Sequence, residues 1–418
     1  MNRSRASICD LWAIGSICLS AAFLLCGYEF ARSASNTLFK ATFGTRSLPI
    51  VMAMTPIGVL AVLWIYGRLL SALGPRRTLF WTSIGSAGII SLTTYGFNLG
   101  FAPAIYLLFI FKEAYVVLLI EQYWSFLNST AGENQARKFY GPITGIASIG
   151  AIAGGLLLSQ LAEPLGTIRM PYFAALVLLP AAFFSDYGYR RAGEFPAGGN
   201  APSSPREHLG LGVLSRSRML LIILFVVLTT QVVSAMLGLR FQGILQVEIP
   251  DPDKQTAFSG AFFAGLNGVA ALLQFVATPL LLKFVPIGVI HIALPIIHIF
   301  ACAALIATPS VATSGTAFLL FKAFDYSIFR AAKEILYIPL SFDARYRAKE
   351  FIDVFGYRFS KGAISLFVAL GQRAGFVFES AFGLLALTAS SIWLALVWNL
   401  ARHIKPNPIR TDRDQTKG

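Results

Sequence analysis

The chain has 418 residues, 56% of them hydrophobic and 13% charged, where soluble domains carry about a quarter charged residues. With a mean hydropathy of +0.67, it has more apolar surface than a water-soluble fold of this size could cover, which excludes a soluble globular protein. The net charge of +14 would suggest nucleic acid in a soluble chain. Here the basic residues sit mostly in short loops between apolar stretches, the pattern of positive-inside topology, so no nucleic-acid partner is expected.

A helix needs about 20 predominantly apolar residues to cross a bilayer. The first such stretch is expected near 9–32. It opens with Arg3 and Arg5 and an apolar run from Leu11 to Leu25. No small-residue cleavage site follows, so it reads as a membrane helix and not as a signal peptide. Further spans are expected near 48–70, 78–98, 101–127, 141–162 and 166–186. Residues 187–218 then break the pattern with Pro196, Pro202, Pro205, the Gly198-Gly199 pair and scattered arginines, a composition that reads as a linker. Six more spans are expected near 219–243, 257–282, 287–307, 314–339, 351–372 and 377–401, followed by a basic tail over 402–418. The fold class expected is therefore all-α and polytopic, about twelve transmembrane helices in two pseudo-symmetric six-helix bundles, 1–186 and 219–401. Arg76/Arg77, the linker arginines, Arg345/Arg347/Lys349 and the tail fall on one side, which places both termini in the cytoplasm.

The loop after the second span reads Gly67-Arg-Leu69-Leu-Ser71-Ala-Leu-Gly74-Pro-Arg76-Arg77. It resembles the G-x-L-x-D-R-x-G-R-R loop of the major facilitator superfamily at its glycines, leucine and terminal basic pair, with Ser71 at the acidic position. The fifth span carries Gly141, Gly145, Gly150, Gly154 and Gly155. Such spacing lets helices approach closely, and spans 5 and 8 are expected to meet where two halves rock.

Charge inside the apolar stretches is the most informative signal. Within the tenth span, Lys322, Asp325, Arg330, Lys333 and Glu334 fall in thirteen positions. Each central charge opposes insertion by roughly 3 kcal/mol, more than the apolar residues around it return, so this helix must face protein or water. At 100° per residue, Lys322, Asp325, Phe329 and Lys333 form one stripe, with Arg330 and Glu334 beside it. Intramembrane charge is functional by default. The fourth span repeats the theme with Lys112-Glu113 and Glu121, at a place equivalent to Lys333-Glu334 in the other half. Span 11 adds Asp353, Tyr357 and Lys361 in one arc, with Arg358 further round, while span 1 adds Glu29 and Arg32 and span 7 adds Arg240. Cys9, Cys18, Cys26 and Cys302 lack CxxC spacing and read as small buried residues. His291 and His298, seven apart, read as packing or hydrogen-bonding groups.

At the junction of spans 10 and 11 the chain reads Asp325-Tyr-Ser-Ile-Phe-Arg330-Ala-Ala-Lys333-Glu334-Ile-Leu-Tyr337-Ile-Pro339-Leu, then Ala348-Lys349-x-Phe-Ile-Asp353-Val. This resembles the ATP/ADP translocase family of intracellular bacteria and plastids, also called the NTP/NDP exchange nucleotide transporters. Weaker likeness extends to Trp124-Ser125, Asn128 and Phe139-Tyr140-Gly141. Where that family's first helix carries a lysine, this chain has Ser35.

The resemblance implies a secondary-active carrier, an antiporter of nucleotides or other anionic solutes working by alternating access. The expected substrate-binding residues are Arg32, Lys112, Glu113, Lys322, Asp325, Arg330, Lys333, Glu334, Asp353, Arg358 and Lys361. A proton-coupled major facilitator carrier of a non-nucleotide solute, with protons as coupling ion, stays open. So does a non-transporting receptor or scaffold on the same fold. No P-loop, positioned cysteine nucleophile or metal cluster stands out, so neither enzyme activity, nor a cofactor, nor a metal is expected. The expected setting is a multi-pass, monomeric protein of the bacterial inner (cytoplasmic) membrane, with the lipid bilayer as its surroundings.

Overall fold

The computed structural model describes residues 11–130, 133–192, 217–337 and 352–403, without the side chains of 11, 118–130, 133–144, 353–355, 358 and 401–403. Most of the linker and tail, together with Pro339 and the Ala348–Lys349 motif, lies outside the described residues. So do the side chains of Trp124, Ser125, Asn128, Phe139, Tyr140, Glu121, Asp353 and Arg358.

Among the described residues, every regular element is helical. Helix α1 (Leu11–Phe43) leads into α2 (Leu48–Asn98), α3 (Ala104–Thr130), α4 (Glu133–Leu165) and α5 (Met170–Ala192). Then come α6 (Arg218–Glu248), α7 (Pro252–Leu272), α8 (Thr278–Phe284), α9 (Ile287–Ala307) and α10 (Val311–Phe324). The last are α11 (Arg330–Tyr337), α12 (Ser360–Arg373) and α13 (Phe382–His403). Wider π turns join α7 to α8 (Leu273–Ala277) and α10 to α11 (Asp325–Phe329), and a third, Ile352–Phe359, leads into α12. Among the described residues, eight stretches are long and apolar enough to cross a membrane.

Helix α1 runs to Phe43, eleven residues past its expected end near 32. The reason lies in Glu29 and Arg32, which form an ion pair inside the helix. Neutralised locally, they need no water, and the helix continues with Ala34, Ser35 and Lys40 all buried. The expected spans 48–70 and 78–98 lie on one continuous element, α2, which bends at Gly74 (φ 75°) ahead of Pro75. Only a residue without Cβ turns the chain there at no steric cost, so the loop read from its two glycines and basic pair is a bend between two rods.

Helix α1 packs on α5, α4 and α3, and α2 packs on α3 and α5. Further along the chain, α6 packs on α13 and α10, and α9 on α13 and α10. Between these groups run α4 against α7, α2 against α12 and α1 against α7. Small residues set the closest approach: a Cβ added at Gly155 would stand 2.6 Å from the Gly260 carbonyl, and one at Gly260 2.7 Å from that of Gly155. The fifth expected span thus meets the eighth backbone to backbone. At the end of the bundle that carries Gly44, polar ties cross between the groups. Arg46 Nε donates to Glu379 at 2.7 Å and the Thr167 amide to Asp253 at 2.5 Å, while Arg240, within the second group, donates to the Glu379 carbonyl at 2.7 Å.

Candidate functional site

A cavity of about 340 Å³ opens among α1, α2, α3, α6, α7, α10 and the segment leading into α12. Each wall contributes residues one helical turn apart. Tyr28, Arg32 and Asn36 come from α1; Phe318, Lys322 and Tyr326 from α10 and its π turn; Tyr357 from the π turn before α12 and Lys361 from the first turn of α12. A spacing of four puts such residues on one helix face. Phe109, Lys112 and Glu113 stand on α3, Phe263 on α7 and Gln242 on α6. The α2 wall is mostly apolar, with Leu48, Met52, Val59 and Leu63.

Among the described residues, four cations line this space against one carboxylate. The Lys112 ammonium, on a side chain 1% exposed, donates to Glu113 Oε1 at 2.6 Å and lies 4.1 Å from the centroid of the Phe109 ring. Arg32 is held from behind by Glu29, whose other oxygen accepts from Asn267 Nδ2 at 2.9 Å. Its guanidinium lies 3.5 Å from the Phe263 ring centroid and 5.2 Å from that of Tyr28, while its buried Nε has no hydrogen-bond partner. Lys322 faces the Tyr326 ring at 5.4 Å. Lys322 and Lys361 form no ion pair among the described residues, although Lys361 lies close enough to Glu113, Lys322, Lys112 and Arg32 to feel their charge.

Charges taken out of water are costly unless paired, so a cavity with this surplus is built to receive an anion. Arginine and lysine donors suit carboxylate and phosphate oxygens. The rings of Tyr28, Phe263, Phe318, Tyr326 and Tyr357 add flat faces on which a planar group can stack.

The expected site residues divide. Arg32, Lys112, Glu113, Lys322 and Lys361 come together in the lining. Asp325, Arg330, Lys333 and Glu334 stand on the same helix run as Lys322 but outside the lining. Asp325 lies near Lys322, Arg330 and Lys333, and Lys333 Nζ lies 4.8 Å from the Tyr357 ring centroid. The π turn Asp325–Phe329 accounts for this. It holds more residues per turn than an α-helix, so the 100° stripe drawn through Lys322 and Lys333 does not survive it. Asp353 and Arg358 lie on the π turn before α12, with side chains outside the described residues. Arg240 is tied to the Glu379 carbonyl at the Gly44 end. His291 and His298 are buried against Phe329, Phe321 and Trp393. Tyr28, Asn36, Gln242, Phe263 and Tyr326 were not singled out by charge; four-residue spacing around Arg32 and Lys322 is the signal that could have found Tyr28, Asn36 and Tyr326.

Residues 288–403 match the family described as TLC ATP/ADP transporter. The chain is 26% identical over 294 residues to ADP,ATP carrier protein 1 of Chlamydia muridarum (strain MoPn / Nigg), an alignment that covers 60% of this chain and 55% of the relative. The protein of the same name from Chlamydia trachomatis serovar D has the same identity and coverage. The chain thus spans about half the length of the curated relatives it matches. Among solved structures, a point mutant of nucleoside transporter NupG superposes with a TM-score of 0.70 at 13% identity, covering 94% of this chain and all of the other. A bacterial homologue of the iron transporter ferroportin, in an inward-facing state, superposes at 0.67 and 11% identity, covering 94% of this chain and 99% of the other. The C-terminal part of the chain is thus similar to the TLC ATP/ADP transporter family, and its helical fold is shared with these solved structures.

Proposed function

We propose that the chain is a secondary-active transporter that moves a nucleotide or another anionic solute across a membrane by alternating access. The observation that carries this reading is the central cavity, where Arg32, Lys112, Lys322 and Lys361 meet the carboxylate of Glu113 among aromatic rings. In this reading the anionic groups of the solute take Lys322, Lys361 and the unpartnered Nε of Arg32, while a planar base stacks on the rings. Glu113 holds Lys112 when the site is empty and yields it to the solute. Asp325, Arg330, Lys333 and Glu334 support the neighbouring helices, and Asp353 and Arg358 remain candidate contacts from the turn before α12. Residues 1–186 and 219–401 act as two six-helix halves, about twelve crossings in all, with 187–218 as a cytoplasmic linker and 402–418 as a cytoplasmic tail. The protein works as a monomer in the bacterial inner membrane, with both termini cytoplasmic, and catalyses no reaction.

A second reading, a proton-coupled carrier of a non-nucleotide anion, is favoured by the position of Glu113 among the cations, where a proton would release Lys112. Uptake of labelled ATP by cells expressing the protein, with and without excess external ADP, separates the two. Saturable uptake that responds to ADP is the expected result. Uptake of no nucleotide at any concentration would rule out a nucleotide as the solute and leave the second reading.

A further inference from the structure

Lys40 differs from the other buried cations. It is 2% exposed on α1, and its Nζ donates to an uncharged acceptor, Gln242 Oε1 on α6, at 2.6 Å. No carboxylate pairs with it among the described residues. An ammonium carries three donors, and burial without a counter-charge is costly, so Lys40 has donor capacity that Gln242 alone does not use.

Its position gives that capacity a direction. Asn36, one turn earlier on the same helix, lines the cavity, and so does Gln242. Lys40 therefore stands one turn beyond the lining, toward the Gly44 end, with Gln242 between it and the cavity. Arg32 lies eight residues back, about 12 Å along the helix axis at 1.5 Å per residue. There it shares the cavity with Lys112, Lys322 and Lys361. The cationic lining thus has a continuation on one side.

We infer that Lys40 is a further solute-binding residue, which takes the terminal anionic group of an elongated polyanion. Gln242 is the acceptor that Lys40 holds while that group is absent. The inference rests on the proposed function and sharpens it. A solute whose anionic groups extend past Asn36 displaces Gln242 and gains a charge-assisted hydrogen bond. A compact monoanion leaves Lys40 on Gln242 and gains nothing from it. The residue therefore selects for the length of the anionic chain, favouring nucleoside triphosphate over monophosphate.

Full-length protein in lipid nanodiscs, titrated with ATP, AMP and inorganic tripolyphosphate, tests this. Lys40→Met is expected to weaken ATP and tripolyphosphate by roughly ten- to a hundredfold, the worth of one hydrogen bond to a charged group. AMP binding should stay within about twofold, and Lys40→Arg should recover most of the loss. If Lys40→Met does not fold, Lys40→Gln, which can still hydrogen-bond to Gln242, carries the same comparison. Unchanged ATP affinity, or equal weakening of all three ligands, overturns the inference and leaves the proposed function standing. Wild-type protein that binds none of the three rules out a nucleotide as the solute, and the role of Lys40 with it.

Discussion

Lys112-Glu113 on α3 and Lys333-Glu334 on α11 are the same dipeptide, set deep in helices of the two chain halves. Lys112 and Glu113 pair with each other at 2.6 Å and both line the cavity. Lys333 is as deeply buried, 3% exposed, yet it faces the ring of Tyr357 and stands outside the lining. The backbone before each pair makes the difference. Helix α3 reaches Lys112 without interruption, whereas the π turn Asp325–Phe329 precedes Lys333 and resets the face that follows. On that helix run it is Lys322, before the turn, that lines the cavity. The same two side chains therefore form a cavity-facing pair in one place and packed cover in the other, because the backbone before them sets their orientation.

The largest effect should come from breaking the pair that faces the cavity. Lys112→Met leaves Glu113 without its nearest cation; breaking a fully buried pair from one side costs about 3–5 kcal/mol, and less is expected here because Arg32 and Lys361 stay near Glu113. Thermal unfolding should record that loss, and ATP affinity should fall at least a hundredfold as a phosphate contact goes and an anion is left unmasked. The double variant Lys112→Met/Glu113→Gln should regain most of the stability but little of the affinity. Recovery of both together would mean that the pair only holds the helices together.

Lys361→Met comes next. This cation has no ion pair among the described residues, so its removal relieves burial of charge, and the unfolding temperature should stay level or rise. ATP affinity should nonetheless fall about tenfold, the worth of a single charged hydrogen bond. Opposite movements of stability and affinity are the signature of a group kept for its ligand. A fall in both would make Lys361 a structural residue.

The cations of the cavity were legible in the sequence because charge is conspicuous in an apolar run. Arg32, Lys112, Glu113, Lys322 and Lys361 could all be named before their helices were placed. Asp325 and Lys333 were put on the stripe of Lys322 because a 100° period was carried through a segment where the backbone widens, and the side chains there give no sign of a π turn. Lys40 was missed for a different reason. Glu29 and Arg32 look like the end of a span when each is costed alone, and only their pairing lets α1 continue to Phe43. Tyr28, Phe263 and Tyr326 were silent because an aromatic ring in an apolar helix looks the same whether it faces lipid, core or solute. The helical fold itself rested on stronger ground, since runs of about 20 apolar residues have few other uses.

A smaller effect is expected from the aromatic face that follows Lys322. Tyr326→Leu removes a ring in the lining but no charge. At about 0.5–1.5 kcal/mol for an aromatic pair, ATP affinity should fall about three- to tenfold, while Tyr326→Phe should bind as the wild type does. Loss with Phe equal to loss with Leu would shift the role from the ring to its hydroxyl.

The smallest change in binding is expected from Lys333→Met, which tests the other half of the comparison. Met replaces the lysine stem with a side chain of similar length, so packing against Tyr357 is largely kept. The loss includes the cation over the ring, worth about 2 kcal/mol when desolvated, and that should appear as a lower unfolding temperature. ATP affinity should stay within about twofold, because Lys333 stands outside the lining. A loss of affinity as large as that from Lys112→Met would mean that the π turn unwinds during the transport cycle and carries Lys333 into the cavity. The two dipeptides would then be equivalent in function, each facing the solute in a different conformation of the carrier.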